Sequence, residues 1–447
     1  MFKKTRTHRV ISFGITLMVL ISLLTIQVSA ETASDSKDAT YVFAGSDFQH
    51  PSGGSYNEDV IKEILGSMHE DGLTDPYGIL FCGDYNDHAT NLQNAVNATF
   101  QDLSHKVYVQ GNHDYVYATE TLEDEPIAES GNNDPEDGNG PYSVFVLNAQ
   151  EFPEAYYPST NLECYAKTLE EVQERTEAVA ELLEEYLSEK IQSGYTKPIF
   201  IVAHLPLHVT TRTYQGMSSE TKQKSYATET HKETTGLYAK TIVDVLNAAG
   251  ECGLNIIYLY GHDHNFGFDS VVGGDCTYLA KGEEIRYANG GTPDEVNVES
   301  ATLNFTYLNA GFTGYYWYDK TVTKQAGTLT MTLFKITDDT VEVYRYSQEG
   351  RYVLARIPYY SDSVEDEIIL GYTDLPTLEE AGGTAADLTT VATKIGTEGA
   401  VITLNKEIDR GYTISGYLAG SVVGLVLVAV VITVVVVVKK SKKAKVQ

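Results

Sequence analysis

Along this chain, short runs in which nearly every position is apolar alternate with stretches whose apolar residues return every three or four places. The runs are YVFAG from Tyr41, GILFCG from Gly78, KVYVQG from Lys106, PIFIVAH from Pro198 and NIIYLYG from Asn255. Strands that lack a polar face belong in the middle of a sheet covered on both sides, so these runs predict an α/β fold. Between them, Val60, Ile61, Ile64, Leu65 and Met68 fall on one helical stripe behind Ser55 or Asn57 as caps. A longer helix is predicted from Thr168. There Thr168 and Glu171 make a capping box, and Leu169, Val172, Val179, Leu182, Leu183 and Tyr186 repeat at helical spacing. From about Thr302 the pattern changes to alternation in TYLNAGFTGYYWY, TLTMTLFKI and TVEVYRYS, which reads as a second sheet.

The ends follow different patterns. Lys3, Lys4, Arg6 and Arg9 precede an apolar run to Val28 and the small-residue ending Val28-Ser29-Ala30, which predicts a signal segment over 1–30. An uncleaved anchor would export the body equally well. Residues 414–438 form an uninterrupted uncharged stretch of 25, long enough to cross a bilayer core of about 30 Å as a helix. Five lysines in the tail 439–447 would keep that end in the cytoplasm, with the body outside the cell membrane. The Gly- and Thr-rich stretch 376–412 reads as a stalk, and the acidic segment 118–140 as a loop.

Charge narrows the choice of partner. The chain carries a formal −30, and setting aside the four basic residues of the signal and the five of the tail leaves −39 on the body. Such a field repels a phosphate polyanion, which argues against nucleic acid as a partner and against a nuclease. Cys82 sits in an apolar run and reads as a buried thiol; Cys252 and Cys276 are a possible bridge. Asn97-Ala98-Thr99 and Asn304-Phe305-Thr306 match glycosylation acceptors.

In open α/β sheets, ligands bind at the carboxyl ends of the strands, so the residues just after each run are best considered together. They are Asp47 and Gln49; Asp84 and Asp87 in GDYND; Asn112, His113 and Asp114 in GNHD; His204 in AHLPLH; and His262 and His264 in GHDH. A lone histidine after a strand is usually structural, but five successive strand ends bearing carboxylate, imidazole or amide groups suit divalent metals such as Mn, Fe or Zn.

This series resembles the calcineurin-like metallophosphoesterases over about Thr40 to Arg356. The resemblance implies a two-sheet αββα sandwich in a domain spanning 40–360, holding two divalent or trivalent metal ions. It implies one metal on Asp47, Asp84 and His264, with Gln49 standing where the family has a histidine, and the other on Asp84, Asn112, His204 and His262. It further implies in-line attack on a phosphate ester, monoester or diester, by a metal-bound hydroxide. His113 is the candidate acid, with Asp87 orienting its ring. His208 stands as a substrate contact, a support for the metal ligands or a bystander, and Asp114 and Asp263 lie inside motifs without being expected ligands. His50, His69, His88, His105 and His231 fit no motif and read as surface residues. His50 is a rival to Gln49, but alternation along an extended chain turns it away from Asp47. The competing reading is a non-catalytic metal-binding surface protein that keeps the fold for adhesion or ligand capture.

Overall fold

Side chains on the apolar runs are buried alternately on two faces. Val42 and Ala44 pack into one core and Phe43 into another, which is why the middles of these strands are apolar on both faces. The computed structural model describes residues 39–48, 61, 62, 64–66, 68, 76–85, 89–100, 103–112, 114, 127–135, 140–153, 166–208, 210–214, 231–262, 278–292, 295–311, 325–354, 392–411 and 414. The expected signal, the expected span beyond Ile414, and the tail lie outside the described residues. Among the described residues no helix is long and apolar enough to cross a membrane.

In chain order the strands are β1 (Thr40–Gly45), β2 (Gly78–Phe81), β3 (His105–Tyr108), β4 (Gly131–Asn132), β5 (Ser143–Leu147), β6 (Pro198–Ala203), β7 (Thr210–Tyr214) and β8 (His231–Thr235). They continue as β9 (Asn255–Tyr260), β10 (Tyr278–Leu279), β11 (Glu284–Thr292), β12 (Glu295–Thr302), β13 (Thr306–Asn309), β14 (Gln325–Ile336), β15 (Thr340–Leu354) and β16 (Ala392–Thr403). One six-stranded sheet has the order β16-β15-β14-β1-β2-β3, the other β10-β13-β9-β6-β5-β4. Strands β1, β2 and β3 are mutually parallel, as are β5, β6, β9 and β13.

Val42, Leu80, Val107, Val144, Phe200, Val202, Ile257, Leu259 and Phe334 fill the space shared by the two sheets. On the outer face of the first sheet, Phe43, Ile79 and Phe81 pack with Ile61, Ile64, Leu65 and Met68 and with helix α1 (Ala89–Thr99). On the outer face of the second, Phe145, Ile199, Ile201 and Ile256 pack with α2 (Leu169–Ser193) and α3 (Ala239–Glu251). The arrangement is the expected αββα sandwich.

Helix α2 starts where its cap predicts. The Thr168 hydroxyl accepts the Glu171 N–H, while Glu171 reaches back to the Lys167 N–H, one residue before the usual partner. The helix ends at Gly194 in a left-handed conformation, φ 72°, that closes its last carbonyls. The stripe drawn from sequence is corrected at Leu182, which is 51% exposed. A helix turns about 100° per residue, and the buried row through Val179, Leu183 and Tyr186 leaves residue 182 off the face.

Two other expectations are revised. The strands after Thr302 do not make a sheet of their own: β13 lies parallel to β9 in the second sheet, and β14 pairs antiparallel with β1, setting Phe334 opposite Val42. Leu308, Ala310 and Phe334 thereby enter the shared core. The expected stalk is integrated from 392 to 411. Strand β16 extends the first sheet beside β15. Beyond it, Asn405 exchanges hydrogen bonds with Asn255 at the start of β9, donating its N–H to Oδ1 at 2.7 Å and accepting from Nδ2 at 2.9 Å. Asp409 donates its N–H to the Cys252 carbonyl at 2.9 Å.

Candidate metal centre

Strands β1, β2 and β3 from one sheet and β6 and β9 from the other finish at the same pole, and the residues that follow them are buried together. Asp47, Asp84, Asn112, His204 and His262 are each less than 5% exposed. Burying polar groups this deeply costs free energy unless each finds partners.

Asn112 Oδ1 lies 2.9 Å from His204 Nε2 and 3.2 Å from His262 Nδ1; these two nitrogens are 3.2 Å apart, and Asp84 Oδ2 is 3.3 Å from His204 Nε2. Ligands in adjacent corners of an octahedron with bonds of about 2.1 Å stand about 3.0 Å apart, so each of these pairs has the spacing of neighbouring ligands on a divalent cation. The His204 tautomer also suits this role: Nδ1 lies 2.7 Å from the Cys82 carbonyl, which leaves Nε2 as the donor atom toward the cluster. Asp47 joins the same group, since ligand atoms of Asp47, Asp84 and His204 all lie within 4.8 Å of one another.

The backbone is strained where it presents these groups. Asp47, Asp84 and His262 have φ of 57°, 64° and 68°, and among the described residues they are the non-glycine positions with positive φ. Each such residue costs about 1–2 kcal/mol, and the local hydrogen bonds offset that cost. The His262 N–H donates to both Asp47 oxygens, at 2.9 and 3.1 Å, and the Ser46 hydroxyl lies against Asp47 Oδ2 and 2.6 Å from the Gly311 carbonyl oxygen. The motif glycines answer to close approach. A Cβ at Gly261 would meet Ser46 Cβ at 2.6 Å, and one at Gly111 would meet Asp84 Oδ1 at 2.3 Å.

Burial alone would lower the His204 pKa, but the Asp84 carboxylate, reinforced by Asp47 and by the Cys82 carbonyl, raises it to about 10. The carboxylates beside it thus favour the protonated imidazole when no metal is bound. Burial and the Asp47 charge push the Cys82 thiol well above its ordinary value, so it is an inert core thiol rather than a thiolate ligand.

Of the sequence-predicted site residues, the structure brings together Asp47, Asp84, Asn112, His204 and His262. Gln49, Asp87, His113 and His264 lie outside the described residues, as do His50 and Asp263. His208 is buried, with Nδ1 2.9 Å from the Tyr307 hydroxyl, which also accepts the Leu207 N–H at 2.7 Å. Tyr307 stacks on Tyr260, ring centroids 4.6 Å apart, so an aromatic pile supports the loop that carries His204. His105 is not a free surface residue: it is half-buried, its ring nitrogens 2.8 Å from the Tyr142 hydroxyl and 2.9 Å from the Asn133 carbonyl. Sequence reasoning missed Ser46 and Tyr307, and it named Asp114 without a role. The neighbouring motif residues are the only signal that could have found the first and third; for Tyr307 the chain offers none.

The family model for calcineurin-like phosphoesterases matches residues 46–266. A search of curated proteins found no match. Among solved structures, the chain is similar to GAP50, the anchor in the inner membrane complex of Plasmodium, at 10% sequence identity and a TM-score of 0.33, over 69% of this chain and 85% of that one.

Proposed function

The chain belongs to the calcineurin-like phosphoesterase family, and from that premise we propose that it is a metal-dependent hydrolase of phosphate esters. The observation that carries this reading is the buried group Asp47, Asp84 and His204, whose ligand atoms all lie within 4.8 Å of one another, with Asn112 and His262 packed against the same His204 nitrogen. Asp84, Asn112, His204 and His262 would hold one ion. Asp47 and Asp84, completed by Gln49 and His264 as the order of motifs suggests, would hold a second, with Asp84 shared between them. Bound there, a metal pair would polarise the phosphoryl oxygens and lower the pKa of a water toward neutrality.

The chain's own contribution is to fix those groups before substrate arrives. His204 is locked by the Cys82 carbonyl, and Asp47 by the His262 N–H. Asn112 offers a neutral oxygen and so adds no further negative charge beside an anionic substrate. His113, next to Asn112, is proposed to give the leaving oxygen its proton, with Asp87 holding the ring.

The chain is further proposed to be exported and held in the membrane by 414–438 with the catalytic domain outside. Protease protection of the tail in sealed vesicles would support this, and release of the whole protein by carbonate would exclude it.

Full-length protein loaded with Mn should cleave a nitrophenyl phosphate ester, and comparing monoester with diester would sort the substrate class. Two bound metals with no turnover on either ester would move the assignment to ligand capture.

A further inference from the structure

Asp114 lies inside the GNHD motif, is 3% exposed, and faces backbone. Gly83 and Asp84 are consecutive left-handed residues, φ 88° and 64°. That geometry turns successive N–H groups to one side as a nest, a shape that ordinarily takes up an anion. Here the carboxyl group that fills it comes from the chain itself. The Asp84 N–H donates to Asp114 Oδ2 at 2.9 Å and the Tyr85 N–H to Oδ1 at 2.6 Å, while the Gly111 N–H donates to the same Oδ2 at 2.7 Å. The two loops it joins are in direct contact, since a Cβ at Gly83 would stand 2.7 Å from the Gly111 nitrogen.

We propose that Asp114 is the positioning residue that couples the metal positions: it fills the nest under Asp84 and ties it to the loop bearing Asn112, so both ligands reach the cluster at one fixed spacing. This rests on the metal reading above. Both carboxylate oxygens accept N–H donors, so Asp114 acts through Asp84 and Asn112 rather than on the metal. An amide at 114 would keep one acceptor and turn an NH₂ toward a donor. The left-handed Asp84 would then lose its support, and its carboxylate would no longer bridge in register.

The test loads the full-length protein with Mn(II) and reads affinity and exchange coupling by electron paramagnetic resonance. Wild type should bind two coupled ions. Asp114→Asn should keep its circular dichroism spectrum yet bind Mn about 10–100-fold more weakly, the range for groups that orient ligands, and lose the coupled signal. A purely structural role would lower Tm without altering coupling in the molecules that remain folded. Asp114→Glu, which keeps the charge, should recover most of the affinity with an altered coupling, and it serves where the amide does not fold. Wild-type affinity and coupling in either folded variant would overturn the proposal. Wild type that takes up no Mn would overturn the metal reading and this inference together.

Discussion

Two buried polar networks sit at opposite ends of the same strands, and they are built on opposite principles. At the end where β5 and β6 begin, Asp134 meets Lys190; their side chains are only 4% and 12% exposed. The Lys190 ammonium also donates to the Ser143 hydroxyl at 2.9 Å and lies over the rings of Tyr186 and Tyr195, while Asp134 accepts from the Tyr186 hydroxyl and the Val144 N–H, each at 2.8 Å. One positive charge answers one negative, and the network is closed. At the other end, Asp47, Asp84 and Asp114 crowd around hydroxyl, N–H and imidazole groups on strained backbone. Asp47 and Asp84 together outweigh a single His204 cation, and burial with the Asp84 charge raises the Asp114 pKa to about 7; a buried excess of carboxylate favours a bound cation, whereas a neutralised pair is a structural fastening.

The comparison can be broken most sharply at Asp84. Asp84→Asn should cut ester hydrolysis by at least about 10³-fold per folded molecule, as read by steady-state kinetics with circular dichroism alongside. The opposite pole should show the reverse. Lys190→Met strands a buried carboxylate and should cost about 3–5 kcal/mol in denaturant unfolding, with kcat/KM per folded molecule unchanged. A large loss of activity from Lys190→Met would merge two regions kept apart here.

A pH series sharpens the contrast. Because the folded His204 pKa is raised from 6.5 to about 10, its contribution to metal-free stability is fully present below pH 6.5 and is lost as pH rises through about 10. Metal binding must displace that proton, so Mn affinity should rise over the same window. Chelator-treated protein unfolded at several pH values, with titration calorimetry alongside, would check both signs. The smallest effect is expected at Tyr307→Phe. Removing the hydroxyl that receives Leu207 and His208 should cost about 1 kcal/mol and weaken Mn binding a few-fold, which equilibrium unfolding and metal titration can resolve.

How far the chain could be read depended on whether each feature is local. The parallel strands and their trailing ligands were legible because an apolar run ending in Gly and a polar residue is a short pattern, and a sheet gathers all such endings at one pole. The cap at Thr168 was legible for the same reason. The partnership of β14 with β1 was not, since Phe334 and Val42 meet across most of the chain and alternation alone does not say which sheet a strand enters. Strand β16 looked like a linker because Gly and Thr dominate it, yet Leu404 beyond it is buried against the shared core. Asp114 was visible as a motif letter, but its task depends on which way three N–H groups point, and that is set by the left-handed turn at Gly83–Asp84 rather than by residue type. Leu182 shows the limit of periodicity: adjacent leucines cannot both centre on one face.

The exchange of hydrogen bonds between Asn405 and Asn255 gives the molecule a front and a back. Asn255 opens β9 and His262 follows its far end, so a strand of six residues, about 20 Å at roughly 3.3 Å per residue, separates the C-terminal segment from the metal centre. The C-terminal segment and the candidate metal centre therefore hold opposite ends of one strand, so β9 is pinned at its start by Asn405 and carries a candidate ligand past its end.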